Sequence, residues 1–299
     1  MPRTSTSAAS EAAAFRASLG AWYSANGRHR LPWRLTRDPY AVLVSEVMLQ
    51  QTQVERVLPY YEAWLARWPA FAALANVPPA EVIRHWRGLG YNRRALNLHR
   101  LAVRVVEDHG GRLPESPSAL LALPGIGAYT ASAVRCFARD EPVVVADTNI
   151  ARVVARARLG LASQREASGR AVSEAAEALL PPASARDHNL ALMDLGAIVC
   201  RSRGPECAAC PVRDSCAWRA AGFPVGQSQT RPQPKFETTA RFARGRIVDV
   251  LREAPATEPE LAAMLPPRHA PKTPEYLAAL AAEGLVVEAP AGQWSLPVS

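Results

Sequence analysis

The chain has 299 residues, enough for one large or two moderate domains with real apolar cores. Its net charge of +8 and pI of about 9.6 suit a polyanionic partner. No run of eighteen apolar residues is present, so no membrane span is expected, and the first ten residues lack the apolar segment of a secretory signal.

Residues 1–10 are expected to be a disordered start. Apolar residues at three- and four-residue spacing predict a helix over 11–26. Pro39, directly after Asp38, opens a second helix that runs to about Gln51. Further helices are predicted over Gln53–Trp68, 79–87 and 91–109. Val143–Ala146 reads as buried extended chain ahead of another helix. Residues 224–235, rich in Pro and Gln, read as a linker. Beyond them helices are predicted over Arg241–Glu253, Glu258–Leu265 and Pro274–Glu283, followed by a hairpin around Ala289–Gly292. The fold class is therefore mainly α. A helical domain is expected at 11–222, a linker at 223–235 and a small winged-helix-like unit at 236–299.

Cys200, Cys207, Cys210 and Cys216 lie within seventeen residues, spaced C-x6-C-x2-C-x5-C. Thiolates packed this tightly share a metal centre, because soft ligands on one short loop close around a single unit. The alternatives are a structural zinc site or two disulfides. Zinc loops more often carry two C-x2-C pairs, and disulfides do not suit a chain without a secretory signal. Cys136, in the apolar run Ala131–Phe137, reads as a small core hydrophobe.

Gly125 and Gly127 mark a tight turn between a helix entering at Pro117 and one leaving at about Ala128. Amides at the start of the outgoing helix can donate to a phosphate; the alternative is an ordinary turn between packed helices. Asp147, ahead of the basic helix Ala151–Arg158, has the place of an N-cap. Glu46 interrupts the apolar run Ala41–Leu49, either as an exposed helix charge or as an acid buried for chemistry.

Leu31–Arg34, Asp38–Tyr40 and Ser45–Val54 together resemble the MutY-type adenine DNA glycosylases of the endonuclease III superfamily, as do Gly88–Tyr91, Asn97–His99 and His188–Gly196. The resemblance covers roughly residues 12–220. It implies a two-lobed helix-hairpin-helix glycosylase fold with an iron–sulfur loop at 200–216, its four cysteines holding a [4Fe–4S] cluster. It makes Gly125 and Gly127 part of a DNA-binding hairpin, Asp147 the catalytic aspartate, and Glu46 the general acid that protonates adenine N7. It carries Arg34 and Tyr129 beside that acid and Asn149 beside Asp147. It assigns Gln51 and Tyr91 to the wedge that enters the duplex next to the opposite base. Each has a plainer alternative: a surface charge for Arg34, helix packing for Tyr129, a first-turn polar group for Asn149, a solvated helix end for Gln51, core packing for Tyr91. Asn92 departs from the resemblance, since many members carry a second Tyr there.

The expected activity is a monofunctional glycosylase of base excision repair. It would hydrolyse the bond to adenine mispaired with 8-oxoguanine or guanine in double-stranded DNA, as a cytoplasmic, nucleoid-associated monomer. Members that cleave the strand carry Lys where this chain has Tyr129, and Tyr cannot form an imine, so efficient strand cleavage is not expected. The alternatives are a mismatch thymine or uracil glycosylase on the same fold and a non-enzymatic DNA-binding protein. The residues after Cys216 do not read as the Nudix-like module usual in the resembled family. Arg241, Arg244 and Arg246 either meet phosphates or are merely solvated.

Overall fold

The structure, a computed structural model, describes residues 5–226 and 234–298. Part of the expected linker, 227–233, and residues 1–4 of the expected disordered start lie outside the described residues. In chain order the helices are α1 (Ser5–Asn26), α2 (Pro39–Leu49), α3 (Val54–Arg67), α4 (Phe71–Ala75), α5 (Pro79–His85), α6 (Arg93–His109), α7 (Pro117–Leu121), α8 (Ala128–Arg139), α9 (Thr148–Leu159), α10 (Gly169–Glu177), α11 (Ala185–Asp194) and α12 (Ala217–Ala220). The C-terminal region adds α13 (Ala240–Leu251), β1 (Ala256–Thr257), α14 (Glu258–Ala263), α15 (Thr273–Ala282), β2 (Val287–Ala289) and β3 (Gln293–Ser295). The described chain is thus mainly α, and no helix in it is long and apolar enough to cross a membrane. Helix α1 begins at Ser5, inside the stretch expected to be disordered, because Ala8, Ala9 and Ala12–Ala14 are strong helix formers. Val143–Ala146 carries no strand; the Val145 amide donates to Asn189 Oδ1 at 3.0 Å.

Two compact units emerge, one of Met1–Val42 with Ala128–Thr230 and one of Leu43–Gly127 with Arg231–Ser299. In the first, α9 is the central helix, packed against α10, α11 and α12, while α1 lies on α11. Phe15 and Leu19 of α1, Ile150 and Val154 of α9 and Leu190 of α11 are all buried there. Asp194, at the end of α11, is fully buried and takes both terminal nitrogens of Arg34, at 2.6 and 2.8 Å. The Arg28 amide and Nε complete its shell at 2.9 and 2.7 Å. Those contacts hold the Asp194 carboxyl below its ordinary range although burial alone would raise it.

In the second unit α4 and α5 pack on α6, and the Trp86 ring meets Trp64 edge-on. The C-terminal region follows the order helix, strand, helix, helix, strand, strand, its sheet running β1-β3-β2 with antiparallel pairs. The expected hairpin is present. The two-residue β1 was not foreseen, because so short a segment has no period to read. This region shares a compact unit with α3–α7. One apolar cluster joins Ala80 and Ile83 of α5 and Leu96 of α6 to Ile247, Leu251, Leu277, Leu280 and Leu296. Arg252, 5% exposed, reinforces the join by donating to Ile83 O at 3.0 Å and Asn92 Oδ1 at 2.9 Å. Residues Ile83 and Leu96 would otherwise expose an apolar face, and the C-terminal helices remove it from water.

His188 of α11 is 7% exposed, and its pKa falls from 6.5 to about 4, chiefly through burial, with the Arg16 charge adding to the shift. The unfolded chain therefore takes up a proton in the window between those two values while the folded chain does not, so stability falls as pH drops through it. His188 should account for about 2 kcal/mol of lost stability between pH ~7.5 and ~5. Denaturant unfolding at the two pH values measures it, and His188→Leu should remove that portion of the slope.

Candidate active site

Asp147 is the N-cap of α9: the Ile150 amide donates to Oδ1 at 2.6 Å. The other oxygen, Oδ2, accepts from Asn149 Nδ2 at 2.9 Å, so the two residues expected to act together do touch. Burial pushes the Asp147 carboxyl above its ordinary value, and these hydrogen bonds with the Arg152 charge only partly offset it. One oxygen closes the helix, and the other is oriented by an amide that a second residue fixes in turn.

That second residue is Arg152, one turn along α9. Its Nη2 donates to Asn149 Oδ1 at 2.8 Å and to Gly196 O at 2.6 Å, and its Nε donates to Cys200 O at 2.7 Å. A further turn on, Arg156 Nη1 donates to Arg201 O at 2.8 Å and reaches Cys200 Sγ at 3.4 Å. Its guanidinium lies 4.7 Å from the Trp218 ring centre. The two arginines are four residues apart on one helix face, so α9 carries the aspartate at its start and the cysteine loop along its side. That spacing was visible in the basic run Ala151–Arg158, but its purpose was not.

Between Asp194 and Cys200 the helix changes to π form over Leu195–Val199, which brings Gly196 against Asn149. A Cβ added at Gly196 would lie 2.7 Å from Asn149 Cβ and 2.9 Å from its carbonyl oxygen. Cys200, Cys207, Cys210 and Cys216 then line a single pocket, partly open to solvent, with Arg156, Arg213, Arg219 and Trp218. None of the five cysteines is disulfide-bonded among the described residues. Nor do any three His, Cys, Asp or Glu side chains among them come together as a site for one metal ion. Cys136 is fully buried, with its thiol pushed up to about 12 by burial, as suits a core residue.

Glu46 lies in α2 within Ala41–Met48, where every residue is buried; it is 4% exposed itself, so it is not a solvated helix charge. Arg34, expected beside that acid, is buried with its terminal nitrogens engaged by Asp194. Tyr129 sits half-buried in the first turn of α8.

The family described as HhH-GPD superfamily base excision DNA repair protein matches residues 44–182. The adenine DNA glycosylase of Mycolicibacterium smegmatis is 46% identical over 246 residues, covering 81% of this chain and 83% of that protein. That of Mycobacterium tuberculosis is 43% identical over 284 residues, covering 94% and 92%. The chain belongs to the MutY-type adenine DNA glycosylase family. Among solved structures, that of a thermostable thymine-DNA glycosylase aligns with a TM-score of 0.66 at 33% identity, covering 71% of this chain and 98% of that one.

The positions that this glycosylase family suggested for the DNA wedge are both strained and exposed. Gln51 has φ +55° and Tyr91 φ +47°, the left-handed region that non-glycine residues seldom occupy. One side chain that the sequence did not single out holds both turns. Arg94 Nη1 donates to Val47 O, Met48 O and Gln50 O at 2.7–2.9 Å, and Nη2 to Leu89 O and Gly90 O at 3.0 Å. Burial lowers its pKa to about 10, still leaving it charged at neutral pH. In the hairpin turn, Gly125 has φ +78° and lies against Asn97, 2.8 Å from where its Cβ would be. A Cβ at Gly127 would meet nothing, so that stretch of backbone is open to an outside molecule.

Gly196→Ala should lower stability by ~1–3 kcal/mol, because Asn149 backbone stands where the methyl must go. Gly245→Ala is the control: nothing lies within 4 Å of that position in α13, so the helix should gain up to ~1 kcal/mol. Denaturant unfolding of the two variants measures the contrast.

Proposed function

We propose that this protein hydrolyses the N-glycosidic bond of adenine mispaired with 8-oxoguanine or guanine in double-stranded DNA, acting as a monomer at the nucleoid. The observation that carries the reading is Glu46, an acid buried in α2 with Ser45 as the other polar residue of the buried run Ala41–Met48. Burying a carboxyl is costly, and adenine departs only once a ring nitrogen is protonated, which is the work such a residue does.

Glu46 gives its proton to N7 of the base after the nucleotide has left the stack. The C1′–N9 bond then breaks with its electron pair going to the neutralised adenine. Positive charge on the sugar is stabilised by the ionised Asp147, whose orientation Asn149 and the Ile150 amide fix. Glu46, now a carboxylate, takes a proton from water as its oxygen bonds to C1′. Tyr129 offers no amine, so the backbone is left uncut.

Cys200, Cys207, Cys210 and Cys216 would hold a [4Fe–4S] cluster. Four soft donors around one pocket, with a single C-x2-C pair among them, support that group. When bound, it supplies a thiolate-linked tie that closes the loop. Arg152 and Arg156 hold that loop to α9 by carbonyl contacts and place positive charge beside the thiolates.

A thymine glycosylase is the second reading, favoured by the 33% identical structural relative. Labelled duplexes with A:8-oxoguanine, A:G, T:G and U:G pairs, treated with hot alkali after incubation, separate the two. Excision of adenine alone is expected; release of thymine or uracil in its place would overturn the adenine reading.

Glu46→Gln should bind the duplex and lose excision by about 10²–10⁴-fold, since shape is kept and the proton is not. Asp147→Asn should also lose turnover while α9 stays capped, because Asn caps a helix as well as Asp does. Single-turnover excision and circular dichroism measure both. Purified protein should contain iron and absorb broadly near ~400 nm; one zinc per chain without iron would contradict the cluster.

A further inference from the structure

Tyr91 is gripped from the C-terminal region, which the proposed chemistry does not use. Arg241, in the first turn of α13, has its guanidinium carbon 4.9 Å from the Tyr91 ring centre and donates from Nη1 to the Tyr91 hydroxyl. The same guanidinium lies 5.0 Å from the ring of Phe236, itself 49% exposed. Phe236 meets Phe242 edge-on, with ring centres 5.6 Å apart, so the stack is anchored to α13. Arg94 approaches Tyr91 as well, at 5.5 Å from the ring centre. The neighbouring residue, Asn92, accepts from Arg252 of the same C-terminal region at 2.9 Å.

This arrangement is not explained by the stability of α13. A cation in the first turn opposes the helix dipole, and an exposed arginine between two partly exposed rings does little to bury apolar surface. What it does is fix a tyrosine whose backbone already sits in a disfavoured conformation. A planar guanidinium that stacks on a ring face and also donates to its hydroxyl removes the ring's freedom to turn.

We propose that Arg241 is a positioning residue for Tyr91. Through it the C-terminal region sets the ring that enters the duplex, and so takes part in separating mispaired from undamaged DNA. This rests on the reading of the chain as a glycosylase acting on duplex DNA, and it goes beyond that reading by giving residues 234–298 a share in recognition. Asn92 stands where a second tyrosine was expected, and Arg252 and Arg241 add contacts from the C-terminal region to a turn that Arg94 also holds.

The test is a double-mutant cycle in the full chain: Arg241→Ala, Tyr91→Ala and the pair, with dissociation constants measured on an A:8-oxoguanine duplex and on a matched duplex. Arg241→Ala should reduce the preference for the mispaired duplex by about fivefold to tenfold with Tyr91 present, and by less than twofold with Tyr91→Ala. Equal losses in the two backgrounds would overturn the proposal. Equal losses with a salt slope smaller by about one unit would show Arg241 to be an independent phosphate contact. Arg241→Lys keeps the charge without the planar fork and should not restore the preference; full restoration would also overturn the proposal. Thermal unfolding of each variant identifies any loss that comes from instability. Adenine release by the unaltered protein is assayed alongside: if it fails, the functional reading falls, whereas an additive cycle in an active enzyme sinks only the role of Arg241.

Discussion

A buried guanidinium cannot give up its proton, so it must find acceptors for its donors or be expelled, and this requirement shapes the loops of the protein. Arg94 takes five backbone carbonyls from two separate turns. Arg186 donates to Phe137 O at 2.9 Å and to Arg34 O at 2.7 Å. Arg156 takes Ala162 O and Arg201 O, and Arg252 takes Ile83 O. In each case carbonyls of loops or of helix C-terminal turns, which lack ladder partners of their own, gain donors that water would otherwise supply. The guanidinium in turn gains the acceptors that make its burial tolerable.

The consequence for chemistry is rigidity without carboxylates. Carbonyl oxygens satisfy an arginine without carrying a formal charge, so Asp147 is not neutralised by a close ion pair. Arg152 reaches it only through Asn149, which leaves the carboxyl hydrogen-bonded and oriented rather than paired. Arg34 and Asp194 form a buried ion pair, which the partly exposed Arg28 joins. Such a pair fixes the start of the π segment, and with it Gly196 and Asn149, rather than contributing a titrating group to the reaction.

The C-terminal region shows the same economy. It completes an apolar cluster with α5 and α6, and Arg252 and Arg241 then reach from it to the Tyr91–Asn92 turn. The alignment with the Mycobacterium tuberculosis protein spans 284 residues, more than the helical domain contains, so this region is shared with at least one adenine glycosylase relative. Of the three arginines weighed between phosphate contact and plain solvation, Arg244 is paired with Glu283 at 2.6 Å and Arg246 is exposed.

The sequence by itself determined the local features. The helix announced by proline at its first turn, α2, lies where that signal placed it, since the signal is carried by adjacent residues. The Asp147 cap, the glycine turn at 125–127 and the crowding of four cysteines were legible for the same reason. Glu46 was undecided between exposed charge and buried acid, because one carboxylate in an apolar run carries no label of depth. Arg94, Arg152 and Gly196 were not legible at all. Their roles depend on carbonyls and backbone brought from residues as far as 48 positions away, as between Arg152 and Cys200. Only the tertiary structure decided those, since a donor's partner is set by which turns the packing of helices brings within reach, and no local periodicity records it.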